Sequence, residues 1–272
     1  MTATGIAPAS GARFAGSSGP LSGFGPLFRK DVAEWMSGKR AWVIAIVSSL
    51  LFVLTAANSY INSLVIAAFP DEAAGATKAI SLSPTDNILT AVGTQIFVIV
   101  AIFAAMSLLV TERERGTLAW VASKPVSRMG IWTAKWASAT AMLWIVGAVI
   151  PMVVTFVTVV VLYGAPPIMG VVLLTLGMGA AIALYVAVTL TASTFVASQP
   201  AVAAVAFAVF IAPTIILAIL PGLEPYLPTS IETWFAGLGF GEAVGFITPI
   251  IWLVGLAALA FISSRRIAQL EL

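Results

Sequence analysis

Charge is missing from four long stretches of this chain. Residues 41–70, 87–111, 136–223 and 243–264 hold no Asp, Glu, Lys or Arg, and Ala, Val, Ile, Leu and Phe dominate each. A hydrocarbon core of ~30 Å is crossed by roughly 20 apolar residues of helix. The 88-residue stretch at 136–223 is too long for one crossing and is expected to make three. The expected fold is an all-α integral membrane protein with six transmembrane helices.

Composition narrows the chemistry. Only 9% of the 272 residues are charged, and no charged stretch is long enough to fold a second, soluble domain. The chain has no Cys and no His. Disulfides, thiolate chemistry, the usual zinc or copper sites and the commonest general base are thereby excluded. No catalytic residues, metal site or nucleic-acid partner are expected. Residues 1–23 are rich in Gly, Ala, Ser and Pro, lack an apolar run, and are expected to be a disordered tail rather than a cleavable leader.

The crossings are expected at about Ala41–Tyr60, Ile88–Val110 and Trp136–Tyr163, the last kinked at Pro151. Ala165-Pro166-Pro167 breaks the chain before a fourth that runs to about Leu190. Ser198-Gln199-Pro200 opens a fifth that ends near Pro221, and the sixth spans about Pro249–Ser264. With the N-terminus inside, twelve basic and five acidic residues face the cytoplasm, against one basic (Lys78) and six acidic residues outside. Lys and Arg in short loops set orientation, so both termini are expected in the cytoplasm of a multi-pass plasma or inner membrane protein. Trp35, Trp42, Trp132 and Trp136 on one side and Tyr60 and Tyr163 on the other are expected to form interfacial belts.

Three segments lie outside the crossings. In residues 24–40, Phe24, Leu27, Phe28, Val32, Trp35 and Met36 recur at helical spacing, with Arg29, Lys30 and Glu34 elsewhere on the wheel and Gly38 as a stop. This predicts an amphipathic helix at the inner interface, or a simple positively charged anchor; the two are compatible. In the loop 111–135, Gly116 can break the second crossing, Thr117 can cap a short helix that Pro125 ends, and Ser127 can cap the next helix. By composition alone this loop is an ordinary positive-inside connection. In residues 221–247, three prolines, five glycines and the stripe Ile231, Trp234, Phe235, Leu238 predict short helices dipping back into the outer half of the membrane, with Thr229 and Glu232 as a capping box. The alternative is a helix lying on the outer leaflet. Residues 41–264 thus form the transmembrane domain and 265–272 a short basic tail.

The run Glu112-Arg113-Glu114-Arg115-Gly116-Thr117-Leu118, then Ser123-Lys124-Pro125-Val126-Ser127-Arg128, then Ala134-Lys135, resembles the cytoplasmic loop of membrane subunits of ABC transporters of the ABC-2 permease class. Ala134 replaces the Gly that usually precedes the Lys, and Ala119 stands where an acidic residue is common. The resemblance extends in layout to nearly the whole chain, though only the loop is motif-grade. It implies a permease subunit of an ATP-driven transporter that exports its substrate; an apolar interface with few charges suits a hydrophobic or amphipathic cargo. Residues Glu112 to Arg128 would couple to a separate ATP-binding subunit, with Leu118 and Trp120 as knobs. Phe28, Arg29, Lys30, Val32, Trp35 and Met36 would form an interface helix flanking the same partner. Two ATP-binding subunits and two permeases, as a homodimer or heterodimer, would make the working unit. The chain has no Gly-x-x-x-x-Gly-Lys-Ser/Thr phosphate loop. It is therefore expected to be no enzyme and to hold no cofactor, with ATP and Mg on the partner.

An ion-coupled transporter usually needs ionisable groups within the membrane, and no predicted crossing core contains one. A non-transporting scaffold that uses a partner ATPase to act on an outer-face protein would have the same sequence features. Gly170, Gly177, Gly179, Ala183 and Ala187 permit close helix approach, either within the subunit, which is the simpler expectation, or at a subunit interface.

Overall fold

The computed structural model describes residues 19, 21–69, 82–115 and 126–269. Every regular element among them is helical. Six helical runs are long and apolar enough to cross a bilayer: Lys39–Ala68, Pro84–Glu114, Arg128–Tyr163, Ile168–Phe195, Gln199–Ile219 and Ile247–Ile267. They alternate in direction, so every described Lys and Arg collects at one end of the bundle, here the basic end. Asp86, Glu224, Glu232 and Glu242 belong to the opposite half.

The first helix, α1, is Phe24–Ser37, and α2 is Lys39–Ala68. Gly38, extended at φ −91° and ψ 149°, is the expected stop. Lys39 and Arg40 therefore open the first span instead of closing the amphipathic helix. The second span is broken into α3 (Pro84–Gly93), α4 (Ile96–Ala105) and α5 (Ser107–Glu114), where the sequence predicts one helix. The first break falls at Gln95, whose left-handed backbone (φ 52°) is uncommon outside glycine. Ser83 caps α3, and Pro84 takes its first turn, where a missing N–H costs nothing.

The third span comprises α6 (Arg128–Trp144), a π-helical turn (Ile145–Val149) and α7 (Ile150–Tyr163). The predicted kink at Pro151 takes this form for a steric reason. The proline ring clashes with the carbonyl four residues back and offers no N–H, and a wider turn absorbs both defects. The remaining spans are α8 (Ile168–Phe195), α9 (Gln199–Ile219) and α11 (Ile247–Gln269). Between the last two lie 3₁₀ turns at Pro221–Tyr226 and Pro228–Ser230, then α10 (Ile231–Phe240).

Helix α8 is the centre of the bundle. Indole N–H groups from three tryptophans donate to its carbonyls: Trp136 to Ala183 at 2.8 Å, Trp144 to Thr175 at 2.8 Å and Trp252 to Ala180 at 3.1 Å. A buried indole usually finds such a partner, although the Trp132 Nε1 has none among the described residues. Trp132 stacks on Trp136 with ring centroids 5.9 Å apart and is 2% exposed. Trp132 is therefore core, and Trp136 is half-buried against it, both turned inward rather than towards an interfacial belt. Trp42, by contrast, is exposed, and Trp35 is buried. At the other end the Tyr163 hydroxyl donates to the Ala56 carbonyl (2.9 Å) and accepts from the Tyr60 backbone (2.8 Å). The α8 glycines serve packing within the subunit. An added Cβ at Gly179 would lie 2.8 Å from the Trp144 ring, and one at Gly170 would strike the Phe240 ring of α10.

Candidate functional site

At the basic end, α1 is fastened to the start of α6. The Ser127 backbone N–H donates to the Ser22 carbonyl at 3.1 Å. The Ser127 hydroxyl accepts from the Gly130 backbone at 2.8 Å, the cap the sequence predicts. Gly23 has φ 83°, and a Cβ there would lie 2.6 Å from Val126; one on Gly130 would lie 2.5 Å from the Ser22 carbonyl oxygen. Only glycine permits this crossing. From it α1 runs along α6, with Leu27 and Val32 against the core and Trp35 buried under the Arg40 guanidinium, 5.1 Å from the ring centroid.

This placement lays the polar flank of α1 against two spans. Lys135, two turns into α6 and 8% exposed, puts its Nζ 2.7 Å from Glu112 Oε1 of α5 and 3.8 Å from Asp31 Oδ2 of α1. Lys30 of α1 also reaches Glu112, at 3.8 Å. Burial pushes the Asp31 carboxyl above the ordinary carboxylate range and Glu112 adds to the rise, while Lys135 and Lys30 pull it down. A cavity of about 490 Å³ opens beside the cluster, lined by Lys30, Asp31, Trp35, Arg40, Glu112 and Lys135 among others. A buried cation is retained only with anionic partners, and removing one partner strands the others. The cluster therefore ties α1, the second span and the third span together as one body.

The predicted site residues separate into groups. Glu112 and Lys30 join the cluster. Arg113 instead donates from Nη1 to the Ser193 carbonyl near the end of α8, at 3.1 Å. Glu114 is exposed, while Arg115 is exposed at the cavity rim. Arg128 opens α6, with Nη1 buried and no hydrogen-bond partner among the described residues. Gly116, Thr117, Leu118, Trp120 and Pro125 lie outside the described residues. Of the interface helix, Phe28 is half-buried and stacks on Phe24 at 5.6 Å, Val32 packs inward, and Arg29 and Met36 are exposed. Lys135 and Asp31 are the functional candidates that sequence reasoning missed. Asp31 counts in the sequence only as a charge for orientation, Lys135 as such a charge and as the end of the family-like loop motif, and their spacing in the chain gives no sign of contact.

The opposite half holds a second feature. Helix α10 runs antiparallel along the first half of α8. A Cβ on Gly239 would lie 2.9 Å from the Gly170 Cα, and one on Gly177 would lie 2.7 Å from the Phe235 Cβ and 3.2 Å from the Glu232 Cα. Gly177 is about two and a half turns into α8, a depth of ~14 Å at 1.5 Å per residue. The segment therefore dips into the bundle instead of lying across its end. Glu232 travels with it and is 6% exposed. The predicted capping box does not form. A 3₁₀ turn occupies Pro228–Ser230, α10 starts at Ile231 with no side-chain cap, and the Glu232 side chain is packed inside.

These features define a multi-pass helical membrane protein whose basic end joins α1, the second span and the third span through one charged cluster. Residues 26–233 match the model of the family described as ABC-2 family transporter protein, and the chain belongs to that family. It is a membrane transport permease, a transport component that is not itself catalytic. No curated protein matches the chain.

Proposed function

We propose that this permease is the membrane half of an exporter of hydrophobic or amphipathic substrates, driven by a separate ATP-binding subunit that docks on residues 112–128. The observation that carries the reading is the Asp31–Lys135–Glu112 cluster. It joins the two helices that flank the loop in the chain and ties them to α1. Force applied to a loop held in this way moves three helices together rather than bending one connection. The loop's resemblance to the coupling segment of ABC-2 permeases supplies the nature of the partner. The asymmetry of Lys and Arg favours the basic end, and so both termini, in the cytoplasm of the plasma or inner membrane. Two permeases, identical or related, would assemble with two ATP-binding subunits. ATP and Mg would be held by those subunits, whose closure would drive the loops.

The test is substitution of Leu118 and Trp120 by Asp in the assembled transporter. ATP hydrolysis is expected to persist while substrate export and its stimulation of hydrolysis are lost. Unchanged assembly and export would overturn the docking assignment. An assembly that hydrolyses ATP without moving substrate into vesicles, even in the unsubstituted protein, would favour a scaffold acting on an outer-face partner.

A further inference from the structure

The geometry points to Glu232 as a proton-binding site that governs whether α10 stays seated against α8. Four observations lead there. First, the carboxylate-bearing residue is 6% exposed and lies beside Gly177, deep along α8. Second, the described elements around it offer it no cation. Helix α8 has one titratable residue, Tyr185, and no base. Helix α11 has only Arg265 and Arg266, at its far end, over the Phe261 and Phe195 rings. The adjoining 3₁₀ turns contribute Glu224 and Tyr226 and no base. Helix α10 has no other titratable group, and Glu242, which follows it, lies near Gly237.

Third, the seat itself is a tight backbone fit built on Gly170, Gly177 and Gly239, so α10 is either in this groove or out of it. Fourth, an isolated carboxylate is too costly to bury, and such a group becomes neutral in place or moves to water. Burial accordingly pushes the Glu232 carboxyl up to about 8.

The consequence is a two-state element. With the proton on, the carboxyl is neutral and α10 lies in its groove. With the proton off, the charge is stable only in water, so α10 withdraws and bares the Gly170–Gly177 face of α8. The ligand is a proton alone, and the site needs no ion-coupled transport cycle. The inference is independent of the docking assignment at the basic end.

The absence of cysteine allows a direct test. Ala236→Cys places a thiol on α10 at a half-buried, near-isosteric position, and Phe246→Cys, at a residue 76% exposed, serves as reference. Assembled transporter in opened membranes, both faces reached, is labelled with a thiol reagent from pH 5 to pH 8. The ratio of the two labelling rates cancels the reagent's own pH dependence. The ratio is expected to rise with pH, by up to about tenfold per unit, since one pKa unit is one factor of ten. Adding Glu232→Gln should hold the ratio flat at its acid value. Adding Gly177→Val, whose side chain the groove has no room for, should hold it flat and high, showing that the reporter detects unseating. A flat ratio in the parent, or a slope that survives Glu232→Gln, would overturn the proposal.

Discussion

The two halves of this molecule bury acidic groups in opposite ways. At the basic end Asp31 and Glu112 share Lys135, so their charges stay inside because a cation accompanies them. In the other half Glu232 has no described cation near it and can stay inside only by giving up its charge. The first arrangement is a fastening in which charge meets charge. The second holds only while a proton is bound. A membrane protein with few charges can thus obtain both a fixed joint and a movable one from the same residue type, and the difference lies in one neighbouring lysine.

The largest expected effect comes from removing that lysine. Lys135→Met leaves two acids facing each other and should cost roughly 3–5 kcal/mol, the range for breaking a buried pair. Thermal unfolding in lipid discs would show it, together with loss of substrate-stimulated ATP hydrolysis if the cluster couples the loop. A stability near that of the parent would remove the contrast between the two halves.

Next in size is the pH response of Glu232. Its carboxyl is raised from the ordinary value towards about 8 by burial. The seated form therefore holds its proton where the unseated form has lost it, and seating weakens as pH rises through that window. The slope is about 1.4 kcal/mol per pH unit, so a change from pH 5 to pH 7 removes roughly 2–3 kcal/mol. Glu232→Gln should match the parent in acid and exceed it near pH 8, checked by the melting temperature across pH. Equal pH slopes in the two proteins would contradict the unpaired assignment.

A smaller effect sharpens the paired assignment. Combining Lys135→Met with Asp31→Asn and Glu112→Gln removes the stranded charges and should recover most of the loss, to within about 1–2 kcal/mol of the parent, since apolar or neutral replacements of a whole buried cluster are often tolerated. The smallest concerns Lys30, whose side chain is 57% exposed and 3.8 Å from Glu112. Lys30→Ala should change stability by less than about 1 kcal/mol, as for other exposed pairs. A larger loss would mean that Lys30, and not Lys135 alone, carries the cluster.

The spans were legible because lipid imposes one rule, apolar length without charge, and the six runs obey it. The stop at Gly38, the cap by Ser127 and the disturbance near Pro151 were legible because each rests on local chemistry. The break at Gln95 was not, since nothing in the local sequence demands a left-handed glutamine, and the packing of α4 against α8 overrides helix propensity there. Thr229 and Glu232 have the spacing of a capping box, yet the groove of α8 claims the glutamate, a tertiary preference invisible along the chain. The contacts of Lys135 are invisible for the same reason. Its partners are 104 and 23 residues away in sequence. Residue type alone places Trp132 and Trp136 at a lipid interface, and the stacking that buries Trp132 and half-buries Trp136 depends on α8 lying beside them.

The three indole clamps on α8 carry a mechanical implication. Trp136, Trp144 and Trp252 reach this rod from two different neighbours and seize fixed carbonyls along it. Sliding the rod by a single residue would orphan all three donors at once, at roughly 1–3 kcal/mol apiece. The rod is therefore a keel, and whatever travels during a working stroke must swing around it.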